Sequence, residues 1–90
     1  MSKNALATAG DLLASAAEDA TDAEAGATLT DLADQLHTLA DASHGPDHGR
    51  LARIEAKLDD VQTTESDEVA VTIDEALDAI HSFRETIEGV

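Results

Sequence analysis

Apolar residues recur along the chain at alternating steps of three and four positions, with polar residues between them. The pattern is strongest in the last third, at Val69, Ile73, Ala76, Ile80, Phe83 and Ile87. Because 3.6 residues complete one helical turn, these steps place the apolar side chains on one face of an α-helix. Residues 69–72 include β-branched side chains that favour strands, but the helical spacing continues through them. The pattern therefore predicts a helix over residues 67–88.

The same spacing predicts three earlier helices, over residues 4–20, 22–43 and 47–62. Their apolar positions are Leu6, Ala9, Leu13, Ala16, Ala17 and Ala20, then Ala25, Leu29, Leu32, Leu36 and Leu39, then Leu51, Ile54, Leu58 and Val61. Pro46 ends the second helix, because proline lacks an N–H and forces the preceding residue out of the helical region. Short connections make sequential helices antiparallel. The predicted fold is all-α, an antiparallel up-down-up-down four-helix bundle forming a single domain over residues 1–90.

The start of the second helix has two interpretations. Thr21 and Glu24 have the spacing of a capping box, in which each side chain accepts a hydrogen bond from a backbone N–H at the helix start. Gly26 then lies inside the helix, at a cost of about 1 kcal/mol relative to alanine. Alternatively Gly26 marks the break, and Thr28 with Asp31 forms the capping box.

The fourth helix is predicted to begin at Ser66, a residue type that accepts a hydrogen bond from the first backbone N–H groups. Asp67 and Glu68 follow it and suit the positive end of the helix dipole. Thr72 with Glu75 is an alternative start further along the chain.

Charge limits the function classes. Twenty Asp and Glu stand against five Lys and Arg, a formal net charge of −15, and the chain has no cysteine. Disulfides and cysteine-based zinc sites are excluded, and such a chain is repelled by nucleic-acid phosphates and anionic lipids. No run approaches the roughly 18 apolar residues of a membrane span, and Asp11 interrupts the apolar N-terminal segment. We expect a cytoplasmic protein that binds neither nucleic acid nor membrane.

The excess of carboxylates also predicts the surrounding solvent. Exposed carboxylates repel one another in dilute buffer, whereas the Debye length falls from about 10 Å at 0.1 M salt to about 3 Å at 1 M. Strong brine thus removes most of the repulsion. The composition favours a salt-rich cytoplasm in which salt stabilises the fold.

One segment carries a family resemblance. The run from Gly45 to Leu51, Gly-Pro-Asp-His-Gly-Arg-Leu, stands between Leu32-Ala33-Asp34-Gln35-Leu36 and Ala76-Leu77-Asp78-Ala79-Ile80. With these flanks the chain resembles a family of small acidic all-helical haloarchaeal proteins of unknown function. The resemblance implies a second helix that starts near Asp22 and includes Gly26, and it implies no activity.

Three residues of the loop before the third helix have metal-ligating side chains. His44, Asp47 and His48 lie within five residues, and imidazole with carboxylate suits zinc, nickel or copper. The structural alternative is that Asp47 caps the third helix, His44 faces the negative end of the second, and His48 is solvated. We favour this alternative, because no fourth ligand is evident, and we keep the metal site as a rival hypothesis.

Arg50, Arg53 and Lys57 are three of the five basic residues, and they fall on one stripe of the third helix. One interpretation is a docking site for an acidic partner or a phosphate. The other is internal neutralisation by the Asp and Glu side chains of neighbouring helices, where each pair contributes under about 1 kcal/mol. The sequence favours internal neutralisation.

The chain carries no recognised catalytic or cofactor motif, and no cofactor is expected. His37 and His81 are predicted at boundary or exposed positions. The leading hypothesis is a non-catalytic interaction or assembly module, a homodimer or a binder of a protein partner, that uses apolar residues of the first and fourth helices. The first helix has alanine on nearly every side, which leaves apolar surface available. An acidic mimic of nucleic acid is a further alternative.

Overall fold

The computed structural model describes residues 2–41 and 48–88 of the chain. This part forms helices and no strand, which confirms the all-α prediction. The helices are α1 (Ser2–Asp19), α2 (Ala23–Asp41), α3 (His48–Thr64) and α4 (Asp67–Glu88). α4 begins after Ser66, whose hydroxyl accepts a 3.4 Å hydrogen bond from the Val69 N–H. Ser66 is therefore the N-cap, as predicted, and Thr72 lies well inside the helix.

α2 runs without interruption through Gly26, whose N–H donates to the Asp22 carbonyl at 2.9 Å. The second interpretation of this region, a break at Gly26, is wrong. The predicted capping box of Thr21 and Glu24 is wrong as well. Asp22 is the N-cap, because its Oδ2 accepts a 2.9 Å hydrogen bond from the Ala25 N–H.

The apolar positions of all four helices meet in one core. Its buried members are Leu6, Ala9, Leu13, Ala16, Ala25, Leu29, Leu32, Ala33, Leu36, Leu51, Ile54, Leu58, Val61, Val69, Ile73, Ala76, Leu77, Ile80 and Phe83. The three-and-four spacing thus identified the buried face of each helix. No polar or charged side chain of the described part is buried in this core.

The helices differ in how closely they approach one another. α1 packs closely against both α2 and α4, α3 contacts α4 less extensively, and α2 and α3 touch at only a few positions. These contacts are consistent with a bundle in which each helix packs against its two neighbours in the order α1, α2, α3, α4. The reason for the difference is side-chain size. α1 presents Ala9, Gly10 and Ala16 to its neighbours, whereas α3 presents Leu51, Ile54 and Leu58.

Most of the large apolar side chains that the structure describes on the first and fourth helices are internal. α1 has a defined buried face, with Leu6 and Leu13 at its centre, and α4 buries Ile73, Ile80 and Phe83. Val71 is the one large hydrophobic side chain that the described residues expose. In the part of the chain that the structure describes, most large apolar side chains of these two helices thus lie in the core, and a dimer or partner site on them stays a prediction.

Gly10 in α1 and Gly26 in α2 differ in the space available for a side chain. A methyl group at Gly26 would meet the Ala17 carbonyl oxygen and the Ala20 Cβ at 3.5 and 3.6 Å, which is ordinary contact. At Gly10 it would lie 2.7 Å from two ring atoms of His37. The α1 backbone at Gly10 is therefore covered by an imidazole, and Gly26 is open to a side chain.

Gly26→Ala is expected to stabilise the protein by about 1 kcal/mol, because alanine loses less backbone entropy in a helix. Gly10→Ala is expected to bring no such gain, since its methyl group must displace the His37 ring. Thermal unfolding of both variants measures the difference. An equal rise in Tm for the two would contradict the described contact between Gly10 and His37.

Candidate functional site: the groove between α2 and α3

An open groove follows the seam where α2 and α3 barely touch. Its basic half encloses about 380 Å³ and is lined by Leu32, Gln35, Arg50, Arg53, Ile54 and Lys57. Leu32 and Ile54 are buried and form the floor, while the three basic side chains are exposed along the α3 side. The structure therefore brings the stripe predicted from the sequence to the edge of a groove.

Two of the three cations of this basic half have no direct ion pair among the residues that the structure describes. Neither Arg53 nor Lys57 forms a hydrogen bond or an ion pair with any residue in 2–41 or 48–88. Across the groove, Gln35 donates to Asp31 at 2.8 Å, within its own helix. The described residues therefore provide no direct neutralisation of Arg53 and Lys57, and these two cations of a strongly acidic chain line the groove.

The next turns of the same two helices form the acidic half of the groove. It encloses about 440 Å³ and is lined by Asp22, Glu24, Ala25, Thr28, Asp60, Val61, Thr63 and Thr64. Glu24 and Asp60 are exposed, and Val61 lies at the floor. Sequence reasoning missed this half, because its two walls are more than 30 residues apart and neither wall carries a motif.

A single carboxylate ties the two turns at the acidic end of the groove. The Thr21 N–H donates to both oxygens of Glu65, at 3.1 and 3.0 Å, and the Thr21 hydroxyl donates to Oε1 at 2.9 Å. The Asp22 N–H donates to Oε2 at 2.8 Å. Glu65 also accepts the Ser66 N–H at 3.1 Å. The turn between α1 and α2 is therefore held by a side chain from the turn between α3 and α4.

These donors lower the pKa of Glu65 from 4.5 to about 2. The Thr21 N–H lowers the pKa most, and partial burial opposes it. The N–H groups of Asp22 and Ser66, with the Thr21 hydroxyl, lower it further. All of these bonds favour the ionised carboxylate, because it accepts hydrogen bonds and donates none.

A second polar cluster joins α3 to α4 at the opposite end. Arg84 donates to Glu55 Oε1 at 2.9 Å and, through its Nε, to His48 Nδ1 at 3.4 Å. The other oxygen of Glu55 is buried without a hydrogen bond and lies 3.5 Å from His81 Nε2. Because Glu55 and Arg84 are only 17% and 24% exposed, this pair is a structural link between the two helices.

Of the predicted metal ligands, His48 is described, and it lies at this end of the fold. His48 is the first residue of α3 and is half-buried, with its Nδ1 facing Arg84. His44 and Asp47 lie outside the described residues, so the three-residue site stays a prediction. Within 2–41 and 48–88 no group of three His, Asp or Glu side chains is arranged to hold a metal ion.

His37 has a defined place between α1 and α2. Its Nε2 lies 3.0 Å from Asp11 Oδ1, and its ring covers Gly10. A shallow cavity of about 320 Å³ adjoins it, with Ala14, Ala33 and Asp34 among its lining residues. Since Asp11 is 79% exposed, this contact lies at the surface and belongs to helix packing.

The helices, the single core and the polar seam define a small all-α domain of four helices. Within the described residues no helix is long and apolar enough to span a bilayer. The chain belongs to a family of unknown function, DUF7553, whose family model matches residues 1–86. No curated protein and no solved structure matches the chain.

Proposed function

We propose that the protein is a non-catalytic interaction module of a salt-rich, haloarchaeal cytoplasm, and that it docks a carboxylate-rich protein surface in the basic half of the α2–α3 groove. The observation that carries the proposal is that Arg53 and Lys57 lie on a groove and form no ion pair with any other described residue. We further infer that the helices have the up-down-up-down order, since this order places α3 beside α2 and α4.

The charge of the whole chain supports this assignment. In a protein of net charge −15, basic side chains are scarce, and three of the five lie at this one groove. A cation without a partner inside the fold adds nothing to its own stability through pairing, so its charge is available to a ligand. Leu32 and Ile54 lie beneath the charges and are almost fully buried, so the basic side chains provide the exposed part of this half.

The geometry favours a carboxylate-bearing protein over a nucleic acid. A nucleic acid would lie against the acidic half of the same groove and the rest of a −15 surface, and its phosphates would be repelled there. A protein surface can instead present carboxylates locally, opposite the basic half, and other groups elsewhere. Mimicry of nucleic acid would leave the basic half without a role.

Titration of the ¹⁵N-labelled protein with poly-L-glutamate tests the proposal. We use about 1 M KCl, where the Debye length is about 3 Å and long-range repulsion is screened. The protein is kept dilute enough to be monomeric. Backbone signals of residues 50–57 and the side-chain signal of Arg53 are expected to shift, whereas signals on α1 stay in place.

Arg53→Gln with Lys57→Gln is expected to weaken this binding about tenfold, because two ion pairs are lost. Thr8→Glu with Ser15→Glu is the matched control, since it makes the same change in net charge at exposed positions of α1. The control is expected to bind like the wild type at this ionic strength. Equal loss in both double variants, or an absence of shifts in the groove, would overturn the proposal.

A further inference from the structure

The two halves of the groove carry opposite charge on successive turns of the same pair of helices. The basic half contains Arg53 and Lys57, and the acidic half contains Glu24 and Asp60. All four side chains are exposed, and none forms an ion pair within residues 2–41 and 48–88. The groove therefore carries positive charge at one end and negative charge at the other, and these four side chains have no ion pair among the described residues.

We propose that the occupant of this groove is a second copy of the same chain, related by a two-fold axis across the seam. This inference rests on the proposed function, because it takes the basic half to be a docking surface. In a two-fold dimer the same patch is used by both subunits. The axis between the two halves brings each basic half onto the acidic half of the other copy, so that both ends are neutralised at once.

The dimensions of the molecule agree with such an interface. The bundle measures 39 × 20 × 20 Å, so the side that carries the seam is long enough for a contact of standard size, about 800 Å² from each partner. The described apolar faces of α1 and α4 are internal. The α2–α3 side is thus the part of the described surface that combines an apolar floor with unpaired charges of both signs.

Salt is expected to promote this association. Two copies of net charge −15 repel one another over long distances in dilute buffer. At about 1 M salt the Debye length is about 3 Å, which screens the distant charges far more than groups in direct contact. The dimer should therefore form in brine and dissociate in dilute buffer.

Charge reversal tests the inference without knowledge of any other ligand. One variant carries Arg53→Glu and Lys57→Glu, and the other carries Glu24→Lys and Asp60→Lys. Each alone is expected to be monomeric by sedimentation velocity at about 1 M KCl, with a Kd for self-association raised at least about tenfold. In an equal mixture the reversed halves are complementary, so the two variants are expected to form a heterodimer.

Circular dichroism of each variant checks that the helices persist, and the heterodimer itself shows that both chains fold. A wild type that stays monomeric from dilute buffer to concentrated KCl overturns the inference. A mixture that does not associate overturns it as well. If the wild type is monomeric but binds poly-L-glutamate in the basic half, the dimer is wrong and the proposed function stands. If the wild type neither forms a dimer nor binds poly-L-glutamate, both proposals are wrong.

Discussion

Transfer from about 3 M KCl to dilute buffer is expected to lower the Tm of the protein by more than about 10 °C and to broaden its unfolding transition. The cause is repulsion among exposed carboxylates in a chain with 20 acidic and five basic residues. Direct pairing within the described residues relieves little of it, because Arg53 and Lys57 form no ion pair there. Thermal denaturation followed by circular dichroism across a KCl series measures the effect.

A variant with fewer surface charges separates screening from other effects of salt. Glu18, Asp34, Glu75 and Asp78 are exposed, and no ion pair within the described residues includes them. Changing all four to the corresponding amides is expected to raise the Tm in dilute buffer and to reduce its dependence on KCl. A wild type with the same Tm in dilute buffer and in brine would contradict this account of its solvent.

The second large effect is expected at Glu65. Glu65→Gln lowers the Tm near neutral pH by about 8 °C, because a neutral amide replaces the carboxylate that accepts hydrogen bonds from two turns. The structure places Thr21, Asp22 and Ser66 around its two oxygens at 2.8 to 3.1 Å. Loss of these bonds leaves backbone N–H groups at the start of α2 without their acceptor.

The pH dependence of this difference has a defined direction. Folding lowers the pKa of Glu65 from 4.5 to about 2, so its contribution to the free energy of unfolding is fully present above about pH 5. The contribution is lost as the pH falls from about 4.5 toward 2. The difference in Tm between the wild type and Glu65→Gln is therefore expected to shrink over that range.

Glu75→Gln serves as the control for Glu65→Gln, since it makes the same chemical change at an exposed position in the middle of α4. Its Tm is expected to stay within about 2 °C of the wild type, as is usual for a surface change. In concentrated KCl the effect of Glu65→Gln should persist, because direct hydrogen bonds are screened far less than distant charges. A difference that vanishes in brine would show that repulsion alone caused it.

The predicted and observed helices agree most closely in features that depend on residues close in sequence. The spacing of Val69, Ile73 and Ile80 identified the buried face of α4, and Ser66 was identified as its N-cap from its residue type alone. Backbone hydrogen bonds and amphipathic spacing depend on neighbours within a few positions, so a single sequence contains this information.

The capping of α2 shows where local reasoning fails. Thr21 and Glu24 have the correct spacing for a capping box, yet the Thr21 N–H and hydroxyl donate to Glu65, 44 residues away. A glutamate held between two turns provides a better acceptor for Thr21 than its own helix does, and Asp22 then becomes the cap. No pattern within α2 contains that information.

For the candidate site, the sequence by itself placed Arg50, Arg53 and Lys57 on one stripe of a helix, because that follows from helical periodicity. It favoured neutralisation by neighbouring helices, which the described residues do not provide for Arg53 and Lys57 by direct pairing, since the partners of a surface charge depend on which helices approach it and how closely. The small residues of α1 allow α2 and α4 to pack closely against it, whereas the larger side chains of α3 keep α3 farther from α2. Tertiary packing alone therefore decided that these cations line an open groove.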